Sequence, residues 1–163
     1  MRWLSRWWPT LAWAAVISIF STHLFTSANT GSIIIPILHW LFPRASSATL
    51  LTMHHVIRKC GHFTEYFILS LLILRSIRAG RHGVRLTWAF IAIALVAGYA
   101  SLDEFHQRFV PGRTPAVADV MLDTVGGAAA QVIAGLVVLL GDARERRLSQ
   151  ATNSQETGNS NTR

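Results

Sequence analysis

YASLDEFHQRFVPGRTPAVADVMLD, residues 99–123, decides how this chain is read. An apolar segment ends here in a dense polar cluster, and a second apolar segment begins. The cluster holds Asp103, Glu104, Asp119, Asp123, His106, Arg108 and Arg113, in a chain only 14% charged. Ionisable groups at or near the ends of membrane segments cost free energy unless they pair, face water or bind something. The stretch therefore reads as the join between two membrane helices and as a candidate functional site.

Upstream, residues 86–102 are apolar or small except for Thr87 and Ser101, a run long enough to cross a bilayer as helix. This helix is expected to continue a turn or two past Asp103 until Pro111-Gly112 forces a turn. Downstream, Thr114-Pro115 reads as the N-cap and first position of a span over residues 117–140. Asp119, Asp123, Gly126, Ala130 and Ala134 share one stripe of that span, and small residues at this spacing let a neighbouring backbone approach.

Two further spans are predicted over residues 7–25 and 59–77. The first carries Trp3, Trp7, Trp8 and Trp13 near its start, which suits an interfacial anchor better than a cleaved leader. Between them, a polar break at 26–31 precedes ten apolar residues, 33–42, interrupted by Pro36. Too short to cross, this segment is predicted to be interfacial or re-entrant, with His39 and Trp40 at headgroup depth. From Ser46 or Ser47 a helix starts and leads into the next span. There Arg58, Lys59, His62, Glu65 and Tyr66 fall on one stripe, whereas the adjacent His54 and His55 point to different faces and read as interfacial. The expected fold is an all-α, integral membrane four-helix bundle with one extra segment, occupying residues 1–148, followed by a disordered polar tail over 149–163.

Four alternating spans bring the start of the second, the end of the third and the start of the fourth to one membrane face. Nine basic residues (Arg2, Arg6, Arg75, Arg78, Arg81, Arg85, Arg144, Arg146 and Arg147) fall on the opposite side. Only five (Arg44, Arg58, Lys59, Arg108 and Arg113) share the face of the polar stretches. The positive-inside rule then places both termini in the cytoplasm and the polar site at the outer face of the cell membrane. The net charge of +7 is thus a topology signal, and no nucleic-acid partner is expected. One cysteine, Cys60, allows no internal disulfide. No H-E-x-x-H, paired-cysteine or EF-hand pattern occurs, so neither a metal nor another cofactor is expected.

Candidate ligand-binding residues are Lys59, His62, Glu65, Tyr66, Asp103, Glu104, Gln107, Arg113, Asp119 and Asp123. Should the site be catalytic, the candidates are His62, Glu65, His106 and Asp119. The N-termini of the second and fourth spans and the nearby bases favour an anion, such as an anionic envelope lipid or cell-wall precursor. An enzyme of lipid-linked phosphates is the main alternative, and a proton-coupled carrier using Glu65 and Asp123 is another. Five acids are also enough to neutralise the bases, so a purely structural ion-pair network accounts for the same residues.

Lys59-x-x-His62 with Glu65 and Tyr66, then Asp103-Glu104-x-x-Gln107-x-Phe109-x-Pro111-Gly112-Arg113, then Asp119-x-x-x-Asp123-x-x-Gly126, resembles the signature of VanZ-like membrane proteins. The resemblance runs from the first span through the fourth. It implies a small multi-pass bacterial membrane protein linked to the cell envelope, in a family associated with resistance to the glycopeptide teicoplanin.

Overall fold

A computed structural model describes residues 4–22, 26–81, 83, 85–110 and 116–160. Five helices follow one another: α1 (Leu4–Phe20), α2 (Ser27–Leu41), α3 (Ser47–Arg78), α4 (Leu86–Gln107) and α5 (Val117–Ser160), with no strand among the described residues. The expected all-α class holds. Three helices, α3, α4 and α5, are long and apolar enough to cross a membrane. With 17 residues, α1 is about 25 Å long, the short end of what crosses.

Helix α3 is the mast of the molecule, and each of the other helices packs on it. Ser46 caps its start, accepting a hydrogen bond from the Thr49 N–H at 3.2 Å, as its sequence position predicts. Its end is marked by Ala79 in the left-handed conformation (φ 52°), after which Gly80 (φ 84°) continues the turn. The predicted span at 59–77 is therefore only the lower part of a helix about 48 Å long by its 32 residues. Against this length α1 and α2 stack in succession. Thr10 and Ser76 share a hydrogen bond at 3.0 Å and Trp13 Nε1 donates to the Glu65 carbonyl at 2.9 Å, while Thr30 of α2 meets His54 Nε2 at 3.1 Å.

The segment expected to be interfacial is thus helix α2, which begins six residues before the apolar run. The polar residues read as a break start it instead: Thr26 accepts from the Asn29 N–H at 3.4 Å and Thr30 bonds back to the Thr26 carbonyl. Helix α2 and the first turns of α3 form an antiparallel hairpin that leaves Ile33, Ile37, Trp40, Leu51 and Val56 exposed. Helix α5 likewise outruns its predicted end at residue 140, where Asp142, Ala143, Arg144, Glu145, Arg146 and Arg147 continue it; no proline interrupts the run and Ala, Arg and Glu favour helix.

The core joins α1, α3 and α4 through Ile17, Tyr66, Leu69, Ile73, Ala92, Val96 and Ala100. Helix α5 closes against it by means of two adjacent glycines. A Cβ on Gly126 would lie 2.6 Å from the Phe63 carbonyl oxygen of α3, and one on Gly127 would lie 2.7 Å from the Val96 side chain of α4. Only hydrogen fits at either position. One turn on, Gln131 donates to the Ser70 hydroxyl (2.7 Å) and carbonyl (3.1 Å), while the Ser70 hydroxyl donates to the Gly127 carbonyl at 2.8 Å. At the opposite end of the bundle from the polar cluster, the guanidiniums of Arg81 and Arg85 lie 5.2 Å and 5.0 Å from the centre of the Trp88 ring.

Candidate functional site

The polar end of the bundle is where α3 passes the end of α4 and the start of α5. Lys59 Nζ meets Asp119 Oδ1 at 2.8 Å, and one turn further down the same two helices His62 Nδ1 lies 3.8 Å from Asp123 Oδ1. On the α1 side, Asp103 Oδ2 accepts from the Ser21 hydroxyl at 2.7 Å and from Gln107 Nε2 at 2.9 Å. All three of those residues are buried. Glu104 accepts from the Ala116 N–H at the first turn of α5, so a carboxylate caps that helix and complements its dipole.

Between these groups is a cleft of about 450 Å³ lined by Ser27, His55, Arg58, Lys59, His62, Gln107, Ala116, Ala118, Asp119 and Leu122. Two helix N-termini reach its wall, those of α2 (Ser27) and α5 (Ala116 and Ala118). The sequence pointed to the starts of the second and fourth spans. The start of α3 is in fact at Ser47, about 18 Å up the helix from Lys59, and α2 takes its place. A second cavity of about 150 Å³, lined among others by Thr30, Ile57, Arg58, His62 and Glu65, shares Arg58 and His62 with the cleft.

Acids and bases are not evenly placed. Among the described residues, four basic or imidazole side chains (His55, Arg58, Lys59 and His62) line the cleft, against one acid, Asp119. Asp103 is taken up by Ser21 and Gln107, Glu104 by the α5 N-terminus, and Asp123 lies beneath His62. Two buried polar atoms, Tyr66 Oη and Asp123 Oδ1, have no hydrogen-bond partner among the described residues, although Tyr66 is 0% and Asp123 3% exposed. Buried polar groups that serve only structure are normally satisfied.

Of the candidate residues, Lys59, His62, Gln107 and Asp119 reach the cleft, Glu65 the adjoining cavity, and Tyr66, Asp103 and Asp123 the buried layer beneath. His106 is exposed and is not among the residues lining either cavity. Arg113, the Pro111-Gly112 turn and the Thr114-Pro115 cap lie outside the described residues. Tyr99, one turn before Asp103 on α4, bonds α1 through the Ala14 carbonyl (2.6 Å) and the Ser18 hydroxyl (2.7 Å). Among the residues read as interfacial, His54 is buried on Thr30 and His55 is in the cleft wall. Sequence reading missed Ser21, Thr30 and Gln131. A lone glutamine in an apolar span is a signal that finds the last of these; Ser21 and Thr30 gain meaning only from their partners. Among the described residues no group of three or more His, Cys, Asp or Glu side chains could hold a metal ion.

Apolar helices long enough to cross a bilayer, converging on a polar cleft at one end, define a helical membrane protein. Within that class, the VanZ/LLP1 family model matches residues 5–138, and the chain belongs to this family. No curated protein and no solved structure matches it.

Proposed function

We propose that the cleft binds the anionic headgroup of an envelope lipid or lipid-borne cell-wall precursor. The observation that carries this reading is the uneven wall: among the described residues, four basic or imidazole side chains and two helix N-termini against a single carboxylate. Lys59 and Arg58 supply the charge, Asp119 positions Lys59, and His62 donates toward the anion from its place above Asp123. The arginines at the far end of α3 support a site facing away from the cytoplasm. Arg78 lies about 24 Å along the helix from His62, close to a hydrocarbon thickness, and the positive-inside rule assigns that end to the cytoplasm. Sequestering or presenting such a lipid at the outer face is the route by which this protein would alter susceptibility to glycopeptides such as teicoplanin.

A second reading is favoured by the His62–Asp123 pair. An imidazole backed by a buried carboxylate is suited to proton transfer, as an enzyme of lipid-linked phosphates requires. The two are separated by binding and turnover of phosphatidylglycerol in nanodiscs. Under the binding reading Lys59→Ala weakens retention of the lipid about tenfold, the worth of one charge-assisted contact, and no product forms with any variant. Product formation abolished by His62→Gln with lipid retention unchanged establishes the enzyme instead. Retention unchanged in both Lys59→Ala and Arg58→Gln overturns the headgroup site.

A further inference from the structure

The α2–α3 hairpin carries an open groove that the headgroup site does not use. A groove of about 580 Å³ runs between the two helices, lined by Leu38 and Phe42 on one side and Ala48, Met53, Val56 and Ile57 on the other, with the Thr49 and Thr52 side chains in its wall. No charged residue lines it. In residues 27–57 the one formally charged side chain is Arg44, in the turn between the helices.

The groove and the cleft are neighbours along α3, with the smaller cavity between them. Ile57 belongs to the groove and to the 150 Å³ cavity, and Arg58 and His62 belong to that cavity and to the cleft. The uncharged groove thus comes within one helical turn of α3 of the basic wall, and the small cavity between them is lined by Arg58, His62 and Glu65. A molecule filling both parts must carry hydrocarbon at one end and negative charge at the other.

Resting on the headgroup reading above, we infer that the α2–α3 groove holds an acyl chain of the same phospholipid whose phosphate occupies the cleft. Burial of hydrocarbon along Leu38, Phe42, Met53 and Val56 then adds affinity that the headgroup alone lacks, in proportion to the apolar area covered. The groove selects for a membrane lipid over a soluble phosphate. A chain can enter sideways between the helices without crossing water, whereas a soluble anion gains nothing there. The exposed faces of Ile33, Ile37 and Trp40 place the hairpin against the same hydrocarbon from which the chain would come.

The test uses the full chain in phosphatidylcholine vesicles with a trace of phosphatidylglycerol bearing a diazirine in its acyl chain, and the labelled residues are read by mass spectrometry. Val132 and Leu136, exposed on α5, report contact with bulk lipid. Labelling at Met53 and Val56 should exceed that at Val132 and fall to its level in Lys59→Ala or under excess unlabelled phosphatidylglycerol. A diazirine phosphatidylcholine should show no such preference. Thr52→Trp, which fills the groove, should abolish the preference while glycerol phosphate still protects Lys59 from acylation. Glycerol phosphate that protects Lys59 while Met53 is labelled no more than Val132 overturns the chain site and leaves the headgroup site standing. Absence of that protection in the wild type overturns both. Met53 and Val56 shielded from either lipid would mean that a polypeptide covers the groove, and would also overturn the inference.

Discussion

Helices α3 and α5 run side by side, yet their two ends are built differently. Around Gly126 and Gln131 the backbones approach closely, and the Ser70 hydroxyl and Gln131 amide are spent on the neighbouring helix. Around Lys59 and Asp119 the same helices part around a 450 Å³ cleft, bridged by an ion pair whose lysine side chain is 56% exposed. Small residues let helices touch, and long charged residues hold them apart and keep water between them. Along the α3–α5 seam, the closed end should therefore govern stability, and the open end should govern binding.

The most severe way to break this contrast is Gly126→Leu. Its side chain collides with the Phe63 carbonyl, backbone that has no rotamer to yield, and the variant should give no monodisperse peak in size-exclusion chromatography. Gly126→Ala should still fold, but at a cost of about 1–3 kcal/mol in detergent unfolding. Next in size is Asp103→Ala, which strands the buried Ser21 and Gln107 side chains and should cost about 2–3 kcal/mol. Asp103→Asn keeps the shape and an acceptor and should recover most of that loss. Gln131→Leu removes two donated bonds but leaves Ser70 bonded to Gly127, so about 1 kcal/mol is expected. Lys59→Ala should change stability by less than about 1 kcal/mol, because its ion pair is solvated, while phosphatidylglycerol retention drops. A Lys59 variant that unfolds with the Gly126 variants would erase the distinction between the two ends.

Much of this architecture is legible in the amino-acid order because membrane helices announce themselves by uninterrupted apolar length. The end of α4 a turn past Asp103, the Ser46 cap and the close-packed Gly126 and Ala130 stripe all follow from local rules. Helix α2 does not. Its first residues are polar, and what holds them helical is a cap at Thr26 and a partner, His54, 24 residues away. The nearness of Lys59, His62, Gln107 and Asp119 around one cleft was legible, but which neighbour each polar group bonds was not. Helical periodicity puts Tyr99 and Asp103 on one arc, and it cannot say that α1 claims Tyr99 or that Ser21 holds Asp103. The same holds for His106: chemistry suited it, and its direction around α4 turned it outward.

Trp88, with two guanidiniums near its ring at the start of α4, has an effect at the other end of that helix. Indole and guanidinium groups settle at the headgroup level, so the pair of arginines acts as a float that fixes the depth of α4 on its own leaflet. A rigid rod about 33 Å long by its 22 residues then carries that fixed depth across to Asp103 and Gln107. The far end holds a weaker counterpart, the Arg108 guanidinium 5.8 Å from the Phe105 ring. Access to the cleft from its own side of the membrane should consequently narrow in thick bilayers and widen in thin ones.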